Sequence, residues 1–243
     1  MELMRFGFQK NKETQTIYSL EKIISDIKPL TDEIWGMYAF SREPLEGKFN
    51  DAQKREYIRK SQECGYMEAL LVKDHYGSMD LTEIVRLHEL EVETPEVPGG
   101  GSHVIFAQYT EPEKIEIFMD SVNKAAELLE DSKIAELLEN VSVYELLLAH
   151  ELFHGIEYQK KRYIYTQIEK VELWKRPFSN KSKIIVLGEI AGMEFAKYIT
   201  GISYSPFIFD VVLMYAYNKE AASMLYEDIM KIAEECNSRR KAV

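Results

Sequence analysis

The 243-residue chain has only two cysteines, Cys64 and Cys236, and no C-x-x-C pair, so neither a disulfide framework nor a thiolate metal site is signalled. Its 7 prolines and 12 glycines are too few and too scattered for a linker tract or a low-complexity repeat. No stretch approaches the roughly 18 uninterrupted apolar residues of a membrane span. Met1 to Lys12 is polar and charged, where a secretory leader needs an apolar run. Basic residues are in deficit: 30 Lys and Arg face 41 Asp and Glu, a formal charge of −11. Most of such a surface repels a polyanion. These absences predict a cytoplasmic protein with no membrane partner and no nucleic-acid partner.

What is present is a helical period. From Ile17 to Phe40, Leu20, Ile23, Ile24, Ile27, Leu30, Ile34 and Met37 recur at threes and fours, with Pro29 placed to split the segment. Asn50 and Asp51 can cap a second helix reaching about His75, and Gly77 stops it. Asp80 can cap a short helix to Leu90, followed by a short strand at Val92 and a loop through Pro95, Pro98 and Gly99 to Gly101. His103 to Tyr109 and Lys114 to Met119 then read as a hairpin across Thr110-Glu111-Pro112-Glu113. Helical periods return over about Asp120 to Glu139, Ser142 to about Tyr165, Lys183 to Thr200, and Pro206 to Ser238, the last as one or two helices. The predicted fold class is α+β, mostly α, with a small antiparallel sheet. Arg42 to Phe49 can hinge an N-terminal helical extension, residues 1–48, onto a larger domain, residues 49–243.

The stretch that carries chemistry is Leu146 to Gly155, an apolar helix opened by Ser142 and Glu145 and containing His150-Glu151-Leu152-Phe153-His154. With five histidines in the chain, a chance H-E-x-x-H is expected about 0.01 times. Positions i and i+4 share a helical face, so His150 and His154 can converge on one metal ion. Glu151, rotated about 100° from His150, stands beside that metal as a base. A tetrahedral catalytic zinc wants a third protein ligand, and Glu189, in a segment softened by Gly188, Ala191 and Gly192, is the candidate; Glu194 is its competitor. The extended pattern H-E-x-x-H-x-x-G-x-x-H fails, because Glu157 stands where glycine is required and Lys160 where the third histidine is required.

His150 to His154, then Glu189 with Phe195 and Ala196 six and seven residues later, preceded by the Val104 to Met119 hairpin, resembles the compact gluzincin plan of ImmA/IrrE-type metallopeptidases. Asp80 to Val85 followed by Leu90-Glu91-Val92 is similar to the short helix and strand upstream in that family, and the resemblance covers about residues 50 to 200. It implies a zincin-like catalytic domain with an active-site helix. It further implies Zn2+ held by His150, His154 and Glu189, Glu151 as catalytic base, and a protein or peptide substrate. The family pattern E-x-x-A-N-x-F-A is departed from at Gly192 and Met193, so a polar group that orients a ligand must come from elsewhere; Glu157 is a candidate, or a plain surface glutamate.

For the auxiliary donor that such hydrolysis uses, His103, Tyr158, Arg162, Tyr165 and Tyr204 all remain open. His103 to Tyr109 is also the candidate edge strand along which an extended peptide would pair. The alternative to a peptidase is a zinc-binding, non-proteolytic regulator or hydrolase on the same scaffold.

Overall fold

The computed structural model describes residues 16–96, 105–174 and 180–241. Helix α1 (Leu20–Ile27) starts at Ser19, whose side chain accepts from the Lys22 amide, and buries Leu20, Ile23, Ile24 and Ile27. The chain breaks at Pro29 and restarts under a Thr31 cap as α2 (Asp32–Phe40), as the sequence predicts. A single 3-10 turn (Glu46–Lys48) leads into α3 (Asp51–Tyr76), which opens with a reciprocal Asn50–Gln53 capping box and ends at Gly77, φ +61°. Helix α4 (Leu81–Leu87) carries the expected Asp80 cap.

Three short strands follow, β1 (Glu91–Glu93), β2 (Ala107–Thr110) and β3 (Lys114–Ile117). The hairpin β2–β3 is antiparallel, pairing Tyr109 with Ile115, and β1 joins β3 from the other side in parallel, pairing Val92 with Ile115. The order β1-β3-β2 leaves β2 outermost. The expected loop through Pro98 and Gly101, the expected strand start at His103 and Val104, and the polar stretch Met1 to Lys12 lie outside the described residues.

Two helices replace the single one expected over Asp120 to Glu139: α5 (Met119–Leu129) and α6 (Ser132–Leu137), separated because the Asp131 carboxylate turns back to cap α6. Helix α7 (Val143–Gln159) begins at Ser142 as expected but stops six residues before Tyr165, which instead opens the one-turn α8 (Tyr165–Ile168). A second hairpin, β4 (Lys170–Trp174) with β5 (Asn180–Lys183), lies between the expected helices, so Lys183 ends a strand where the sequence predicts a helix start. Helices α9 (Val186–Thr200), α10 (Ile208–Tyr217) and α11 (Lys219–Lys241) complete the eleven α-helices among the described residues.

The core explains why α7 has no polar face: twelve of its residues are buried, so it is a central helix rather than a surface one. It packs against α9, where Phe153 and Phe195 bring their ring centroids within 5.7 Å. On its other side α9 lies against α3 so closely that a Cβ at Gly65 would fall 2.1 Å from the Ala191 carbonyl oxygen. Only glycine admits that approach. One hydrophobic cluster runs from α1 through α11, with Trp35, Tyr38 and Phe207 forming an aromatic group at its N-terminal end. No helix among the described residues is long and apolar enough to cross a membrane.

Candidate metal centre

Two helices build the site. The i,i+4 spacing on α7 stacks the imidazoles of His150 and His154, and their Nε2 atoms approach to 3.0 Å. From the first turn of α9, Glu189 brings one carboxylate oxygen to 3.4 Å from His150 Nε2 and the other to 3.6 Å from His154 Nε2. The three residues together form a group able to hold a metal ion, with their ligand atoms all within 4.8 Å of one another. Donors at the corners of a tetrahedron with bonds of about 2.0–2.1 Å to its centre stand about 3.4 Å apart. The nitrogen pair at 3.0 Å and the oxygen–nitrogen approach at 3.4 Å lie near that value, while the 3.6 Å approach belongs to the second carboxylate oxygen. Two nitrogens and a carboxylate oxygen converging in this way fit a divalent cation by chemistry as well as by spacing.

The electrostatics favour the ligand-ready form of Glu189 and of His150, while His154 is held toward its charged form by the carboxylates around it. Burial alone would push the Glu189 carboxyl up, but the facing imidazoles of His150 and His154 hold it well below the usual carboxylate range. Burial depresses His150, favouring the neutral ring. His154, although burial opposes its charge, is raised by its contact with Glu157 and by the nearby carboxylates. That contact, His154 Nδ1 to Glu157 Oε2 at 3.2 Å, answers one question the sequence leaves open. Glu157 is buried and holds the His154 ring at Nδ1, as carboxylates beside metal-bound imidazoles commonly do. Gly192 meets the other ring: a Cβ there would stand 2.9 Å from His150 Cε1.

Comparisons with family models, curated proteins and solved structures return no match to this chain.

The site opens into a cleft of about 520 Å3. Its floor is α7, presenting Glu151, His154, Glu157 and Tyr158. One wall is the outer strand, with Gln108 and Tyr109, and the other comes from Gln167, Lys183, Ile184 and Ile185. Glu151 is fully buried at the level of the protein yet lines this cleft beside His154 and Glu189. Of the candidate auxiliary donors, Tyr158 lines the cleft. Tyr204 does not, since its hydroxyl donates to the Leu138 carbonyl at 2.9 Å. Arg162 and Tyr165 are not among the lining residues, and His103 lies outside the described residues. Glu194 stands apart from the metal group and faces Lys197 and Asp32 instead. The wall supplied by Gln167, Lys183, Ile184 and Ile185 went unanticipated; its only signal in the sequence is the length of the interval between His154 and Glu189.

Proposed function

We propose that the protein is a zinc-dependent peptidase. The observation that carries this reading is the convergence of His150, His154 and Glu189, with His154, Glu189 and Glu151 lining one open cleft and His150 buried behind it. Zinc bound there supplies a Lewis acid for a scissile carbonyl. The chain's own residues do the rest. Glu151 accepts the proton of the attacking water on a carboxylate oxygen and delivers it to the departing amide nitrogen. Glu157 keeps the His154 ring turned so that Nε2 faces Glu189 and His150. Tyr158, on the α7 floor of the cleft, offers a hydroxyl donor for the developing negative charge on oxygen.

An extended peptide is the substrate that suits the geometry. Strand β2 is outermost, and the Phe118 amide bonds the Phe106 carbonyl at its start. Alternation from that pair turns the main chain of Tyr109 away from β3, on the edge where another strand adds.

The test is a pair of measurements on the full chain: zinc content after purification, and cleavage of an unfolded protein substrate by wild type and Glu151→Gln. The reading expects near-stoichiometric zinc in both and turnover at least about a hundredfold lower in the variant. Equal turnover would overturn Glu151 as the base. Stoichiometric zinc with no hydrolysis of any unfolded protein would favour the non-proteolytic scaffold.

A further inference from the structure

Helix α9 carries Glu189 in its first turn yet begins without a cap of its own, because Ile185 precedes it in helical conformation and its side chain accepts nothing. The first amides of a helix have no partner within it. The missing acceptor comes from far away in sequence. Glu43 Oε2 accepts the Val186 amide at 3.0 Å, across 143 positions. Its other oxygen, Oε1, accepts the Leu45 amide at 3.1 Å. Glu43 is only 5% exposed, and no cation pairs with it among the described residues. A buried carboxylate held by two amides at a helix start is therefore balanced by charge-assisted hydrogen bonds and by the positive end of the helix dipole.

We infer that Glu43 is a positioning residue for the metal centre, a remote cap that fixes the first turn of α9 and through it the carboxylate of Glu189. The inference rests on the metal-centre reading above. Glu189 follows Val186 by three residues, so a frayed or rotated first turn moves its oxygens from their 3.4 and 3.6 Å approach to the histidines. The neighbouring residue ties the same segment a second time. Arg42 pairs with the buried Asp210 of α10 at 3.2 Å and lies 4.2 Å over the Tyr38 ring, while Tyr38 donates to the same carboxylate at 2.8 Å. The segment after α2 is thus clamped between α9 and α10, and helices that contribute no metal donor influence the donor geometry.

The test uses the full chain freed of metal, then titrated with zinc against a competing chelator and with cobalt(II) by visible absorption. Variants are Glu43→Ala, Glu43→Gln, and Ile229→Ala in α11 as a core lesion remote from α9. Glu43→Ala is expected to weaken zinc binding about ten- to a hundredfold and to change the cobalt spectrum. Glu43→Gln, which keeps one carbonyl acceptor, recovers part of that loss; it carries the test alone if the alanine variant does not fold, with an expected weakening of about threefold or more. Ile229→Ala lowers the unfolding temperature and leaves affinity and spectrum unchanged. Wild-type affinity and spectrum in the Glu43 variants would overturn the inference, as would an equal loss in Ile229→Ala. A wild-type chain that takes up neither metal would overturn the metal-centre reading itself, whereas a metal-binding chain indifferent to Glu43 overturns the positioning role alone.

Discussion

Adding one methyl group at Gly192 probes the metal centre from its back. An alanine Cβ would stand 2.9 Å from His150 Cε1 and 3.1 Å from its Nδ1. Non-bonded carbons rest at about 3.5–4.0 Å, so the ring or the helix must yield by about 0.5–1 Å. His150 is 1% exposed, and apart from a small apolar cavity it shares with Leu146, Leu147 and Met193 the ring has little room to enter. Metal–donor distances tolerate about 0.2 Å, and a shift several times larger carries His150 Nε2 out of place. Zinc affinity should fall about ten- to a hundredfold. Stability should respond less. Overpacking costs about 1–3 kcal/mol, and exchanging glycine for alanine inside a helix returns about 1 kcal/mol. Chelator competition measures the first effect and thermal unfolding of the metal-free chain measures the second. A Gly192→Ala variant with wild-type zinc affinity would refute the claim that the α7–α9 contact sets the position of His150.

Other outcomes follow from the same geometry. Glu157→Ala removes the acceptor beside His154 Nδ1, and zinc affinity measured by chelator competition should fall about ten- to a hundredfold; unchanged affinity would reduce Glu157 to a buried bystander. Glu194 is pushed up to about 7 from 4.5 by burial, with Asp32 adding to the rise and Lys197 opposing it. Between those values the folded chain binds more protons than the unfolded one, so stability falls as pH climbs through that window and the loss is complete above about 7. Allowing for partial solvent screening, Glu194→Gln should gain about 1–3 kcal/mol over wild type at pH 8 and little at pH 4. Urea unfolding of both proteins at the two pH values checks this, and parallel profiles would refute it.

Helix α7 was legible because several signals agreed: a Ser142 cap, a continuous apolar run, and two histidines at helical spacing. Glu189 was legible because a metal site needs a third donor on an ordered element, and small residues mark where a helix can come close. The β4–β5 hairpin was not. Strand β4 alternates Val171 and Leu173 with charged residues, but its partner reads Asn180-Lys181-Ser182-Lys183, with no apolar position to pair against them. Its strand character comes from backbone pairing alone. The end of α7 was missed for a related reason: Lys160, Lys161 and Arg162 are good helix formers and contain no glycine or proline to announce a stop. Glu43 carried no signal, since a residue that caps a helix 143 positions away leaves no local pattern.

Helix α1 leans on α11. The Tyr18 amide donates to Ser223 Oγ at 3.2 Å, the Tyr226 hydroxyl donates to Asp26 at 2.5 Å, and Ile23, Ile24 and Ile27 are wholly buried. A ribosome adds about 5–20 residues per second, so some 10–40 seconds separate the synthesis of these partners. Throughout that interval the three isoleucines lack the part of their cover that α11 supplies, although α6 and α10, which also pack on α1, are made earlier. The candidate metal group at 150, 154 and 189 is likewise made before the helix that closes the core. A chain that stops short of α11 leaves part of this early stripe uncovered and becomes a target for proteolysis.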